Sequence, residues 1–238
     1  HSYMKYLYKY PQGKFPYQDL IETNQGRGRE ELEYELLDTG AFAEDRYYDI
    51  YLEYAKESPK DIIAKATVHN RGPEMEDLYL LPTLWFRNNW LEDSAAKPQL
   101  SLVRETKDCY VIGVEHDQLA EKYLYLSKEA ELLFTENETN KSYLYDAAPK
   151  NMFSKDGIHD YLVNGNQGAV KDELQGTKMS AAYRLEVGPE KPQEVYLRLT
   201  NKANLTDPFA EVEATVQQRS READEFYEDL APQKVSDD

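Results

Sequence analysis

The sequence predicts a mainly β chain, a large antiparallel β-sandwich followed by a C-terminal helix. Many short runs alternate apolar and polar residues with period two, the repeat of a half-buried strand. Turn residues separate these runs at short intervals, the spacing of a sandwich. Only the C-terminal stretch changes to a period near 3.6. The 20 tyrosines, against 7 phenylalanines, fit wide half-buried sheet faces, because the ring packs while its hydroxyl meets water.

Tyr3 to Tyr10 alternates as a strand, and Pro11 stops it. Tyr17 to about Asn24 reads as a short helix broken by Gly26 and Gly28. From Tyr47 the alternation is regular. Tyr48, Ile50, Leu52 and Tyr54 share one face, and Asp49, Tyr51 and Glu53 share the other. After a turn at Ser58 to Asp61, Ile62, Ala64, Ala66 and Val68 oppose Lys65, Thr67 and His69, so a hairpin is expected. Asn70-Arg71-Gly72-Pro73 is the next turn. Leu78 to Trp90 alternates little and reads as a strand buried on both faces. Pro82 has no N–H to donate, which places a bulge or a sheet edge there.

Further strands are expected at Gln99–Glu105, Cys109–His116, Lys122–Leu126 and Glu131–Thr135. Asn137 to Asn140 reads as a turn. Lys155 to Lys178 reads as a long loop around one short strand, Ile158 to Val163. Two closing strands follow, one carrying Tyr183, Leu185 and Val187, the other Val195, Leu197 and Leu199. Asp207 then caps a helix with Pro208 at its first position. Its apolar stripe is Phe209, Val212, Val216, Ala223, Phe226 and Leu230, and Ala231-Pro232 ends it. The expected organisation is a sandwich over residues 1–206, a linker helix over 207–231 and a tail over 232–238. Pattern alone leaves open whether the helix leads to another domain or packs back on its own sheet.

The net charge of −17 argues against nucleic acid and anionic membrane surfaces as partners, since both are held by clustered Lys and Arg. Acidity of this kind serves solubility, or supplies an acidic face for another domain. The single cysteine, Cys109, excludes an internal disulfide, lies in an apolar run and reads as a buried structural thiol. The cysteine count and the lack of a leader-like segment predict a cytoplasmic location.

Metal spacing is absent from the four histidines. Asp49 and Glu53 stand about 13 Å apart along a strand, wider than the ~5–9.5 Å of a hydrolase carboxylate pair, so a solvated strand face is the better reading. His159 and Asp160, in a Gly-rich segment, carry groups suited to sugar hydroxyls. Arg87 and Trp90 form a second candidate group. For Trp90, core packing, a domain interface and direct ligand contact all remain open.

A resemblance narrows these readings. HSYMKYLYKYPQ (from His1), FPYQDL (from Phe15), ELLDTGAFAEDRYYDIYLEYAK (from Glu35), VHNRGPE (from Val68), LLPTLWFRNNW (from Leu80), FTENETN (from Phe134), KDGIHDYLVNG (from Lys155), GTKMSAAYRL (from Gly176) and RSREADEFYEDLAP (from Arg219) run in order along the chain. This series resembles the non-catalytic N-terminal region and linker of bacterial glycoside hydrolase family 63-like glucosidases. The resemblance implies a β-sandwich preceding an (α/α)6 barrel, in an inverting α-glycosidase that uses no metal or other cofactor. It implies that the family's first sandwich strands precede His1, so that the sandwich is partial at its N-terminus. The acid and base would lie in the barrel, so no catalytic residue carries over. Arg87, Trp90, His159 and Asp160 become candidates for the substrate rim or the domain interface. The implied partners are the barrel of the same polypeptide and an oligosaccharide. A freestanding carbohydrate-binding module or a protein-interaction sandwich is the alternative.

Overall fold

A computed structural model describes residues 2–90, 96–146 and 152–231. In chain order the elements are β1 (Tyr3–Pro11), α1 (Tyr17–Gly26), β2 (Tyr47–Ser58), β3 (Asp61–Asn70), β4 (Glu76–Leu80), β5 (Thr83–Trp85), β6 (Gln99–Glu105), β7 (Cys109–Glu115), β8 (Lys122–Ser127) and β9 (Glu131–Thr135). They continue with α2 (Lys141–Tyr145), α3 (Gly157–Asn164), β10 (Gln175–Gly176), β11 (Lys178–Val187), β12 (Gln193–Thr200) and α4 (Val212–Leu230). The expected 232–238 tail, and part of the segment after Trp90, lie outside the described residues.

Two antiparallel sheets result. The larger has eight strands in the order β1-β2-β3-β12-β8-β7-β6-β10. The smaller has four, with β11 at its centre. β11 takes β9 on one side, and β4 and then β5 along the other. The break between β4 and β5 falls at Leu81-Pro82, on an edge of the small sheet, where the Pro82 carbonyl accepts from the Ala181 N–H at 3.0 Å. A residue without a donor thus sits where the sheet needs only its acceptor.

The core fills the space between the sheets. Ala66, Leu100, Ile112, Leu126 and Val195 from the large sheet meet Phe134, Met179, Ala181 and Tyr183 from the small one. Tyr48, Ile50 and Val68 meet Leu78 and Val187 beside them. The alternation read from the sequence is therefore the alternation of faces. Pairing of Ile50 with Val68, Leu52 with Ala66 and Tyr54 with Ala64 puts all six on the inner face.

The outer face of the large sheet carries α4. Val212 and Val216 pack with Phe209 against Ala55, Ile63, Tyr3 and Tyr196. Lys65 reaches Glu213 at 2.7 Å and Glu194 at 3.0 Å, and Thr215 donates to Glu57. The first half of α4 is thus packed back on its own sheet, while Phe226, Tyr227 and Leu230 in its last turns are more than half exposed. Cys109 is buried with Val111 and Tyr125 on the same outer face.

Three expectations need correction. The C-terminal helix begins at Val212, not Pro208. The Arg198 guanidinium donates to the Pro208 carbonyl at 3.0 Å, and Val212 N–H donates to Phe209 O, so the preceding residues form turns. Leu78 to Trp90 is not one strand buried on both faces. It splits into β4 and β5, and Tyr79 and Trp85 are 48% and 54% exposed. Ile158 to Val163 is a helix, α3, not a strand. Ile158, Tyr161 and Leu162 recur at three and four and pack on Leu133, Val170 and Ala182, the spacing of a helix face.

Candidate functional site

The sequence candidates fall in two places. Arg87 and Trp90 follow β5. There the backbone leaves the small sheet and is stitched to the segment after β9 by side-chain amides. Asn137 Nδ2 donates to Phe86 O at 2.7 Å, and Asn88 Nδ2 donates to Asn137 O at 2.8 Å. Below them Glu136 is buried and accepts from Thr177 Oγ1 at 2.8 Å, with Lys97 at 2.9 Å and Lys171 in contact. Burial opposes ionisation of Glu136, but the two ammonium groups and the hydroxyl hold its pKa below the usual carboxylate range. Trp90 is buried at 9% exposure, and its Nε1 lies 3.4 Å from Glu138 Oε1. It closes this polar knot and does not offer a flat face to solvent. Arg87 is exposed.

His159 and Asp160 lie in the first turn of α3. Gly157 lets that helix approach the short turn at Gln167–Ala169, where a Cβ would collide with the Ala169 carbonyl oxygen. At the other end, Gly165 adopts φ +72° and its N–H returns to Asp160 O, a left-handed glycine cap. The Asp160 carboxylate accepts from Asn164 Nδ2 at 2.8 Å and Asn166 Nδ2 at 2.6 Å, which lowers its pKa. Asp160 therefore fastens the end of its own helix. His159 is exposed and faces a cleft.

That cleft, of about 560 Å³, lies where α3 and the start of β11 meet β4 and the ends of β1 and β2. His159, Lys155 and Lys178 line one part of it, and Tyr10, Tyr48 and Tyr79 another. Lys178 Nζ donates to the Lys155 carbonyl at 2.7 Å. Burial pushes the Lys178 pKa down, and the neighbouring Lys155 ammonium pushes the same way. Burial raises the Tyr48 phenol to about 12, so it stays protonated and its OH lies 3.5 Å from Asp77 O. Asp77 is bound by Arg184, with Nε at 3.0 Å. Sequence reading did not bring Lys155 and Lys178 to His159. The only local signal was the Asn164-Gly165 pair, which marks a helix end and so places His159 on a helix.

The buried carboxylates Asp49, Asp61 and Glu136 are each tied to cations: Asp49 to Lys9 and Arg71, Asp61 to Arg198, Glu136 to Lys97 and Lys171. Among the described residues, no group of three or more His, Cys, Asp or Glu is placed to hold a metal ion. No described helix is long and apolar enough to cross a membrane.

No family model matches the chain. A curated relative is the uncharacterized protein YMR196W of Saccharomyces cerevisiae, 32% identical over an alignment of 281 residues that takes in 100% of this chain and 26% of the relative. The chain thus spans about a quarter of the length of that relative. Among solved structures, a candidate kojibiose phosphorylase from the human microbiome is similar with TM-score 0.32 and 8% identity, over 75% of this chain and 19% of that one. A candidate aldose 1-epimerase from Escherichia coli K12 gives TM-score 0.34 and 7% identity, over 84% of this chain and 65% of that one. At such scores neither likeness bears on fold or function.

Proposed function

We propose that this chain is the non-catalytic β-sandwich portion of a family 63-like inverting α-glycosidase acting on oligosaccharides in the cytoplasm. The carrying observation is the ordered series of motifs from His1 to Pro232 that resembles the family's accessory region. A further fact supports it. The chain corresponds to 26% of its curated relative, which leaves room for a barrel in a longer polypeptide.

In this reading the sandwich braces the barrel, and the end of α4 leads toward it through its exposed Phe226, Tyr227 and Leu230. Arg87 and His159 are the groups free to meet a rim, while Trp90 and Asp160 support the segments that carry them. The test starts with immunoprecipitation from source cells, using an antibody to this chain. The captured polypeptide should be several times longer than the chain and should hydrolyse α-glucosidic oligosaccharides with inversion, whereas the chain alone should not. A captured protein of the chain's own size, or a long one without α-glycosidase activity, overturns the reading.

A further inference from the structure

We propose that the cleft beneath α3 binds a phosphate-bearing, hydroxyl-rich small molecule such as a sugar phosphate. Lys155, Lys178 and His159 would hold the phosphate, and the tyrosines would cover the organic part. The inference uses only this cleft and stands independently of the glycosidase reading.

The chain carries −17, with 45 acidic residues, yet Lys178 Nζ meets the Lys155 carbonyl and, among the described residues, neither lysine forms an ion pair with a carboxylate. Three other lysines behave differently. Lys65 has Glu194 and Glu213, Lys97 has Glu136 and Glu138, and Lys171 has Glu136. Lys178 instead loses hydration and faces a second ammonium, and both effects disfavour its charge. Of the nearby carboxylates, Asp156 is already occupied by Ser154 Oγ at 2.8 Å and Asn140 Nδ2 at 2.9 Å, Asp77 is bound by Arg184 with Nε at 3.0 Å, and Glu76 lines the same cleft beside Tyr48. An anion bound between the lysines would relieve the repulsion and replace the missing water at once.

The chemistry of the donors selects the anion. Two ammonium groups and an imidazole offer more donors than a carboxylate readily accepts, and suit a phosphate with three free oxygens. The cleft, about 560 Å³, falls within the size range of small-molecule sites. Tyr10, Tyr48 and Tyr79 bring aromatic rings and hydroxyls, the pairing that suits a ring with one apolar face and a polar edge. The overall negative charge disfavours the polymeric phosphate of nucleic acid but not a single small anion held between Lys155 and Lys178.

The test is titration calorimetry of the whole chain with glucose 6-phosphate, glucose and inorganic phosphate. Variants Lys155→Ala and Lys178→Gln are titrated in parallel, and circular dichroism reports their folding. Lys155 is exposed, so its replacement leaves the fold intact. Glucose 6-phosphate should bind the unaltered chain more tightly than glucose or phosphate, and each variant should weaken it about tenfold or more. No binding of glucose 6-phosphate, or binding undiminished in Lys155→Ala, overturns the proposal. Glucose or phosphate alone binding as tightly as glucose 6-phosphate overturns it as well.

Discussion

Asp61 shows what a single side chain contributes when it is withdrawn from water. It is fully buried, with Arg198 Nε and Nη2 each 2.8 Å from its two oxygens. Burial alone would raise its pKa, but the guanidinium fork, Thr200 and Lys202 hold it below the ordinary value. A carboxylate with a lowered folded-state pKa contributes stability above the unfolded pKa of about 4 and loses it as pH falls through the folded value. Asp49 and Glu136 titrate with the same sign, so the chain should destabilise in acid. Arg198→Met should cost about 3–5 kcal/mol at pH 7, because it leaves an uncompensated buried charge. Without its partner, Asp61 would be raised above the unfolded pKa by burial, and its protonation would relieve the cost. The gap between the variant and the unaltered chain, measured as urea midpoints, should therefore narrow between pH 7 and pH 4. A gap independent of pH would mean that Asp61 is not ionised in the fold.

The elements divide by how local their determinants are. In α4, Val212 and Val216 are buried against Ala55 and Ile63, whereas Phe226 is 57% exposed. Val212→Ala and Val216→Ala should each cost about 1–2 kcal/mol, and Phe226→Ala should stay within about 0.5 kcal/mol. Thermal melts of the three variants check this, and the reverse order would mean that the helix docks by its far end. The β2–β3 hairpin was legible because its alternation and its turn are both local. The helix α3 was not: Gly157-Ile158-His159-Asp160-Tyr161-Leu162 suits either period, and the contacts of Ile158 with Leu133 and Ala182 decide it. Leu78 to Trp90 misled for a related reason. Its apolar run resembles a doubly buried strand, but β4 and β5 form a sheet edge with one side open. The cleft residues Lys155 and Lys178 were invisible as a pair, since β11 and the turn before α3 meet only through long-range pairing.

At the scale of the molecule, the governing fact is that the two sheets are unequal. Eight strands face four, so the small sheet cannot cover the whole inner face of the large one. The consequence is a cleft of about 580 Å³ lined by Leu52, Tyr54, Ala64, Leu197 and Leu199 on one side and by Leu81 and Trp85 on the other. Almost nothing polar projects into it. Trp85 is 54% exposed at its mouth, and Tyr6 on the free edge of the large sheet is 51% exposed. A contiguous apolar surface of this kind is uncommon on a folded chain and attracts apolar ligands. The folded chain should therefore bind an anilinonaphthalene sulfonate dye at pH 7, a property otherwise characteristic of expanded states. The net charge of −17 repels the dye's sulfonate at long range, but salt of about 0.15 M screens that repulsion within about 8 Å, leaving the local apolar attraction to decide. Bound dye should also quench tryptophan emission by energy transfer, and Trp85, which lines the cleft, should be quenched most. Trp85→Ala should reduce the quenching and preserve dye binding, because the Leu and Ala floor of the cleft is untouched. A folded chain that raises no dye emission, as judged by near-ultraviolet dichroism and fluorescence together, would show that this face is covered in solution.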